Sequence, residues 1–280
     1  MSNVLFINKP VGMTSFDVCF KLRKVLNTKK IGHTGTLDPN ASGVMIVLYN
    51  NATKANQFLV TERKEYIAKV KLGIETDTLD IDGKIINTKD YIVPERDLLV
   101  EKLNEFKGKS IQEVPITSAV KIDGKKLYEY QRQNIEVELP KRQIEVFEIE
   151  LLDIYEDGFS FKCLVSSGTY IRAIVRDLLK KIDLIGTLES LVRTSIDTVK
   201  LDDCDNLDDV LNGNYKTHDV YELLSKKYEC IEYENIDDIY NGKRIHLESD
   251  NDRVLITHNN EAIAIYEKEY DIYKSIRGLW

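Results

Sequence analysis

No apolar run in this 280-residue chain approaches the roughly 20 residues that a membrane-crossing helix needs. The opening Met-Ser-Asn-Val-Leu-Phe-Ile has neither a basic region nor a long apolar one, so no secretion signal is read there and a cytoplasmic protein without membrane contact is expected. Cysteine is sparse. Cys19, Cys163, Cys204 and Cys230 are far apart and form no Cys-x-x-Cys pair, which argues against a zinc ribbon and a disulfide scaffold alike. The histidines His33, His218, His246 and His258 offer no metal-ligand spacing, so no metal is expected. Neither Gly-Lys-Ser nor Gly-Lys-Thr follows the glycines of residues 32–43, which sets a phosphate-cradling nucleotide loop aside. There is no internal repeat and no low-complexity segment.

What is present suits a globular protein of one large domain, or of a large and a small one, with 42% hydrophobic and 31% charged residues. The net charge of −8 speaks against a polyanionic partner, but its distribution is uneven. Residues 1–72 hold 11 Lys+Arg against 4 acidic residues, whereas residues 201–280 hold 9 against 19. The chain therefore has either a polarised surface or two differently solvated faces.

Strand and helix periods alternate along the chain. Ser15 is read as the cap of a helix carrying Val18, Leu22, Val25 and Leu26, and Val44 to Leu48 as a buried strand. Thr53 is read as capping a short helix with Phe58 and Leu59, and Tyr66, Ala68, Val70 and Leu72 mark one face of a strand. Pro94 opens a helix with Leu98, Leu99, Leu103 and Phe106, which Gly108 ends. Asp123-Gly124 predicts a turn before a helix over 125–133, and a strongly amphipathic helix follows Tyr170. After Asn212-Gly213-Asn214 the pattern breaks; Val220 to Leu224 reads as helical, and residues 228–280 as a small β-rich module, with strands at Arg253 to Thr257 and Ala262 to Tyr266 around Asn259-Asn260.

Three short polar segments sit just beyond apolar ones. Gly-His-Thr-Gly-Thr-Leu-Asp-Pro-Asn-Ala-Ser-Gly, residues 32–43, sets one carboxylate, Asp38, in a loop of glycine, small hydroxyl residues and proline. Such a loop shapes the backbone and presents its acid, although an ordinary surface turn has the same composition. Asn8-Lys9-Pro10 with Gly12 and Thr14-Ser15 lies upstream, and Ser166-Ser167-Gly168-Thr169-Tyr170-Ile171-Arg172 downstream.

These segments in this order, with Lys64-Glu65-Tyr66, Ser118-Ala119-x-Lys121-x-x-Gly124-x-x-Leu127-Tyr128 and Leu191-Val192-Arg193, resemble the TruB-type pseudouridine synthases over about residues 4–195. The resemblance implies an α+β pseudouridine synthase fold: a central mixed or antiparallel sheet flanked by helices in residues 1–227, and a small PUA-like domain in 228–280. It implies isomerisation of uridine 55 in the tRNA T-loop to pseudouridine, on a flipped-out nucleotide, with no cofactor. The partner is then tRNA through its T-loop and T-stem, with no obligatory protein partner and a monomeric state. By the same resemblance Asp38 is the catalytic carboxylate, as covalent nucleophile or as the base of an elimination. Arg172 is its ionic partner, with a surface helix residue as the alternative reading. Tyr66 stacks on the base near the C5 proton, where a core or edge aromatic is the alternative, and Tyr170 contacts the nucleotide. His33 enters the space vacated in the T-loop or caps its own loop, Leu191 lines the pocket or packs the core, and Lys64 belongs to the RNA-binding set. Lys9 and Pro10 support the catalytic loop from beneath.

The chain departs from the family pattern at Gln131-Arg132-Gln133-Asn134, where Asn134 stands for a glycine and is expected to keep the turn by adopting left-handed φ, and at Val114-Pro115-Ile116. Two other functions suit parts of the sequence. A tRNA-folding helper would keep its activity without Asp38. A guide-RNA-dependent dyskerin-type enzyme is expected to carry a long N-terminal extension and partners, whereas the first motif here begins at Val4.

Overall fold

The computed structural model describes residues 2–59 and 62–280. Its largest unit is an 11-stranded mixed sheet. Along the main path the strands run Asp205–Asn206, Ser2–Lys9, Ala41–Tyr49, Gly186–Ile196, Arg63–Leu72, Gly158–Ser166, Lys141–Tyr155 and Gly108–Glu113. The pairing of Ala41–Tyr49 with Gly186–Ile196 is parallel, while Arg63–Leu72 is antiparallel to both its neighbours. Ala41–Tyr49 is apolar throughout because both its faces are covered. Val44, Ile46 and Leu48 enter one core cluster and Met45, Val47 and Tyr49 another. Tyr66, Ala68, Val70 and Leu72 share one face and meet Ile171, Ile174, Val175, Leu178 and Leu179 of the helix Ile171–Lys181. Each of those helix side chains contributes roughly 1.5–3 kcal/mol by burial, enough to anchor the helix start, and Arg172 with it.

A second, four-stranded sheet is built from Glu229–Glu232, Arg253–His258, Glu261–Glu269 and Ile272–Gly278. Asn259 and Asn260, at φ 51° and 62°, make the tight turn that the right-handed strand twist favours. Leu255 and Ile265 share a cluster with Val4, Phe6, Val220 and Leu224, so one face of the small sheet closes part of the core of the large one. No helix among the described residues is long and apolar enough to cross a membrane.

Local expectations differ from the structure in four places. The helix Ser15–Val25 is capped by Thr14, whose side chain and that of Asp17 satisfy each other's backbone N–H groups, and Ser15 turns to the Asp38 loop instead. The turn over Asn50–Phe58 is a 3-10 helix without a side-chain cap; the Thr53 hydroxyl donates to the Asn50 carbonyl. Lys125 and Lys126 pair with Lys121 and Ile122, so the following helix is only Leu127–Arg132. The helix after Pro94 is Arg96–Asn104, leaving Phe106 beyond its end, and Gly108 opens a strand. Asn134 has φ 50°, so the turn without glycine keeps its left-handed residue.

Gly43 is the tightest backbone approach beside the Asp38 loop. At φ +105° a Cβ would lie 2.2 Å from the Arg193 carbonyl oxygen and 2.8 Å from its nitrogen. Those atoms belong to the parallel pair of Gly43 with Arg193 and cannot yield without breaking it. Gly43→Ala is therefore expected to destabilise the fold by more than the ~1–2 kcal/mol of left-handed strain alone. Gly32→Ala, with open space around it, should change urea stability little; similar losses for the two variants would refute the contact argument.

Candidate active site

The loop from Thr34 to Asn40 is held by its backbone, from two sides. Arg193, 0% exposed, donates from Nε to Val44 O at 2.7 Å, from Nη1 to Thr36 O at 3.3 Å and from Nη2 to Gly35 O at 3.1 Å. Lys9, also 0% exposed, donates from Nζ to Pro10 O at 2.8 Å, Met13 O at 2.7 Å and Pro39 O at 3.4 Å. Ser15 Oγ accepts from Leu37 N at 2.8 Å and lies 3.2 Å from Leu37 O. The Lys9 ammonium thus ties the Pro10 and Met13 carbonyls to the Pro39 carbonyl of the loop, and burial lowers it to about 8, partly opposed by the Asp38 charge.

At the tip of this loop the Asp38 side chain is 38% exposed, and its Oδ2 lies 2.9 Å from Nη2 of Arg172. Arg172 is 4% exposed, which excludes the surface-residue reading. Its Nη1 donates to Thr78 O at 2.8 Å and Thr117 Oγ1 at 2.6 Å, and its Nη2 to Thr117 O at 3.2 Å. A second carboxylate, Asp80, faces Nη1 at 3.5 Å. Burial pushes the Asp80 carboxyl up from its ordinary value, against the Thr78 hydroxyl and Arg172.

Asp38 and Arg172 open on a cleft of about 400 Å³ whose wall includes Tyr66, Tyr170, Leu191 and Lys64. Tyr66 is 7% exposed and shares the Arg63–Leu72 strand with Lys64. Burial pushes its phenol up, and Arg193 pulls the other way, so the ring is neutral at neutral pH. Tyr170 caps the Ile171–Lys181 helix, and Gln112 grips its backbone in both directions, at 2.8 and 3.0 Å. Lys64 is buried in the cleft wall, because its strand turns alternate side chains inward and puts it on the face of Tyr66. Burial first, then Arg193, bring its ammonium down to about 8. His33 ends the strand Ile31–His33 outside the residues lining the cleft. Burial and Arg193 lower its imidazole, and its buried Nδ1 has no partner among the described residues.

The structure thus brings Asp38, Arg172, Tyr66, Tyr170, Leu191 and Lys64 together, ties Lys9 to the carbonyls of Pro10 and Pro39, and leaves His33 outside the cleft lining. Two members escaped sequence reasoning. Arg193 stood at the end of the Leu191-Val192-Arg193 match without a role. Asp80 had no distinguishing signal among 47 acidic residues. Among the described residues no group of three or more His, Cys, Asp or Glu side chains could hold a metal ion.

The lowered Lys64 ammonium has a consequence for stability. Folded Lys64 loses its proton near 8 and the unfolded residue near 10.5, so between those values the unfolded state holds more protons and stability contributed by this group rises with pH. Wild type should gain on Lys64→Met across that window, by at most about 1.4 kcal/mol per pH unit. Urea melts of both proteins measure this; parallel stability curves would show that the ammonium is not desolvated.

Residues 23–171 match the family described as TruB family pseudouridylate synthase (N terminal domain). The chain is 36% identical to a tRNA pseudouridine synthase B of Lactobacillus acidophilus, over 98% of this chain and 97% of that protein. It is 37% identical to a tRNA pseudouridine synthase B of Mesoplasma florum, over 99% and 98%. Among solved structures, a crystal structure of a Cbf5-Nop10-Gar1 complex aligns with a TM-score of 0.75 at 22% identity, covering 100% of this chain and 85% of that one, a likeness of fold. With a family match across more than half its length and relatives that align almost end to end, the chain belongs to the TruB family of pseudouridylate synthases.

Proposed function

We propose that the protein isomerises uridine 55 in the T-loop of tRNA to pseudouridine, with Asp38 acting on a flipped-out nucleotide and no cofactor. The observation that carries this reading is a partly exposed carboxylate fixed by a buried guanidinium at the mouth of a cleft with an aromatic wall. The names of the relatives support tRNA as the substrate. The exposed Lys29 and Lys30 belong to the basic N-terminal part of an otherwise acidic chain.

The reaction breaks the bond between N1 of uracil and C1′ of ribose and makes one between C5 and C1′. C5 gives up a proton and N1 gains one, so atoms and electrons balance without redox chemistry. Asp38 serves either as nucleophile at C1′ or as base for the C2′ proton, and both need it ionised and oriented, which is the work of Arg172. A base inside a folded loop must leave its stack to reach Asp38, and Tyr66, with Tyr170 and Leu191, replaces the lost contacts. His33, neutral and beside the cleft, is placed in this reading to enter the vacated space.

Asp38→Asn is expected to abolish product formation while tRNA affinity stays within a few-fold, because shape and most contacts persist. Carbodiimide-dependent reverse-transcription stops on a T-loop transcript read the product; turnover near wild type would remove Asp38 from the chemistry. Tyr66→Phe should keep the fold and slow single-turnover conversion. Tyr66→Leu should lose roughly 1–3 kcal/mol more in base capture. If both Tyr66 variants lost only melting temperature, with the rate per folded molecule intact, Tyr66 would be a packing residue.

A further inference from the structure

Of the four buried cations around the site, three are saturated by protein. Arg172 faces Asp38, Asp80 and two carbonyls; Arg193 and Lys9 each hold three carbonyls. Lys64 differs. Its ammonium has three donors, and its one hydrogen bond among the described residues goes to Ser167 Oγ at 3.3 Å. It is 8% exposed, lines the cleft, and has the like charge of Arg193 beside it. The opposite charge it feels is that of Asp197, whose oxygens serve the Glu62 and Arg63 amides and approach Lys227. Gly35 leaves room for the ammonium, since a Cβ there would stand 3.2 Å from Nζ. A desolvated cation with unmet donors at the wall of a cleft calls for an anion.

The spacing says which anion. Lys64 and Tyr66 are two residues apart on one strand and on one face, which sets them about 7 Å apart along it. That is the span between a nucleobase and the phosphate of its own nucleotide. We propose that Lys64, with the Ser167 hydroxyl, seats a phosphodiester group flanking the uridine that reaches Asp38, fixing how far the nucleotide enters the cleft. The inference rests on the RNA-modifying reading above and names the contact by which that site holds its substrate. Lys64 is here a binding residue; it performs no bond-making step.

The test uses an RNA stem-loop with one uncharged methylphosphonate, placed either 5′ or 3′ of the target uridine, against wild type, Lys64→Gln and Lys64→Arg. On one of the two sides the neutral linkage should cost wild type about tenfold in affinity and cost Lys64→Gln little more than it has already lost. The slope of log affinity against log salt should fall by about 0.7–0.9 in Lys64→Gln and return in Lys64→Arg. Losses that multiply at both linkages, or an unchanged slope beside a lowered melting temperature, would overturn the seat. Conversion of the unmodified stem-loop by wild type is the control: if no pseudouridine formed, the functional reading would fall, while the binding comparison would still decide for or against Lys64.

Discussion

A guanidinium that is 4% exposed has to be met by acceptors on every side, and the way Arg172 is met determines the shape of this site. Its fork reaches Thr78 O, Thr117 Oγ1 and Thr117 O, so two segments remote in sequence close around one side chain. Asp38 completes the shell from a third segment and Asp80 from the Thr78 side. Breaking a buried pair ordinarily costs ~3–5 kcal/mol because a bare charge remains. Here Asp80 and the three oxygens remain when Asp38 is neutralised, so the acid of the loop can be altered without unfolding the site around it.

The same accounting removes the apparent conflict between a net charge of −8 and a polyanionic substrate. What a phosphate meets is local. Lys9, Lys64, Arg172 and Arg193 converge under and around the cleft, against the two carboxylates Asp38 and Asp80. Screening over roughly 10 Å separates that basin from acidic groups elsewhere on the surface. Much of the acid excess lies in residues 201–280, which include the small sheet. That sheet contributes Leu255 and Ile265 to the shared core, so its acidity is compatible with a packing role beside the strands that carry the site.

The elements with strong periodicity were legible in the sequence. The Arg63–Leu72 strand alternates because one face is core, and the helix from Ile171 has its apolar stripe against that face. Short caps and turns were less legible, because adjacent hydroxyl residues compete for the same backbone groups. Thr14 and Ser15 both suit an N-cap, and only the fold sends Ser15 to Leu37. In the site, Asp38 stood out by its loop, whereas Asp80 and Arg193 are ordinary residues until the sheet and the Arg172 fork give them neighbours. Lys64 could be read as a cation but not as a buried one, since its burial depends on what the opposite wall supplies.

Arg193 and Lys9 have a feature in common that bears on the chemistry: both grip the Asp38 loop through carbonyl oxygens and leave its carboxylate alone. Had either paired with Asp38 directly, both carboxylate oxygens would be engaged, and a reacting atom could approach only by displacing a cation. As built, Oδ2 is held by Arg172, and Oδ1 has no hydrogen-bond partner among the described residues. Position is enforced through the backbone and orientation through one oxygen, at a cleft already walled by Tyr66 and Leu191. A carboxylate held that way has its reorganisation done before a substrate arrives, which is what the role proposed for Asp38 requires of it.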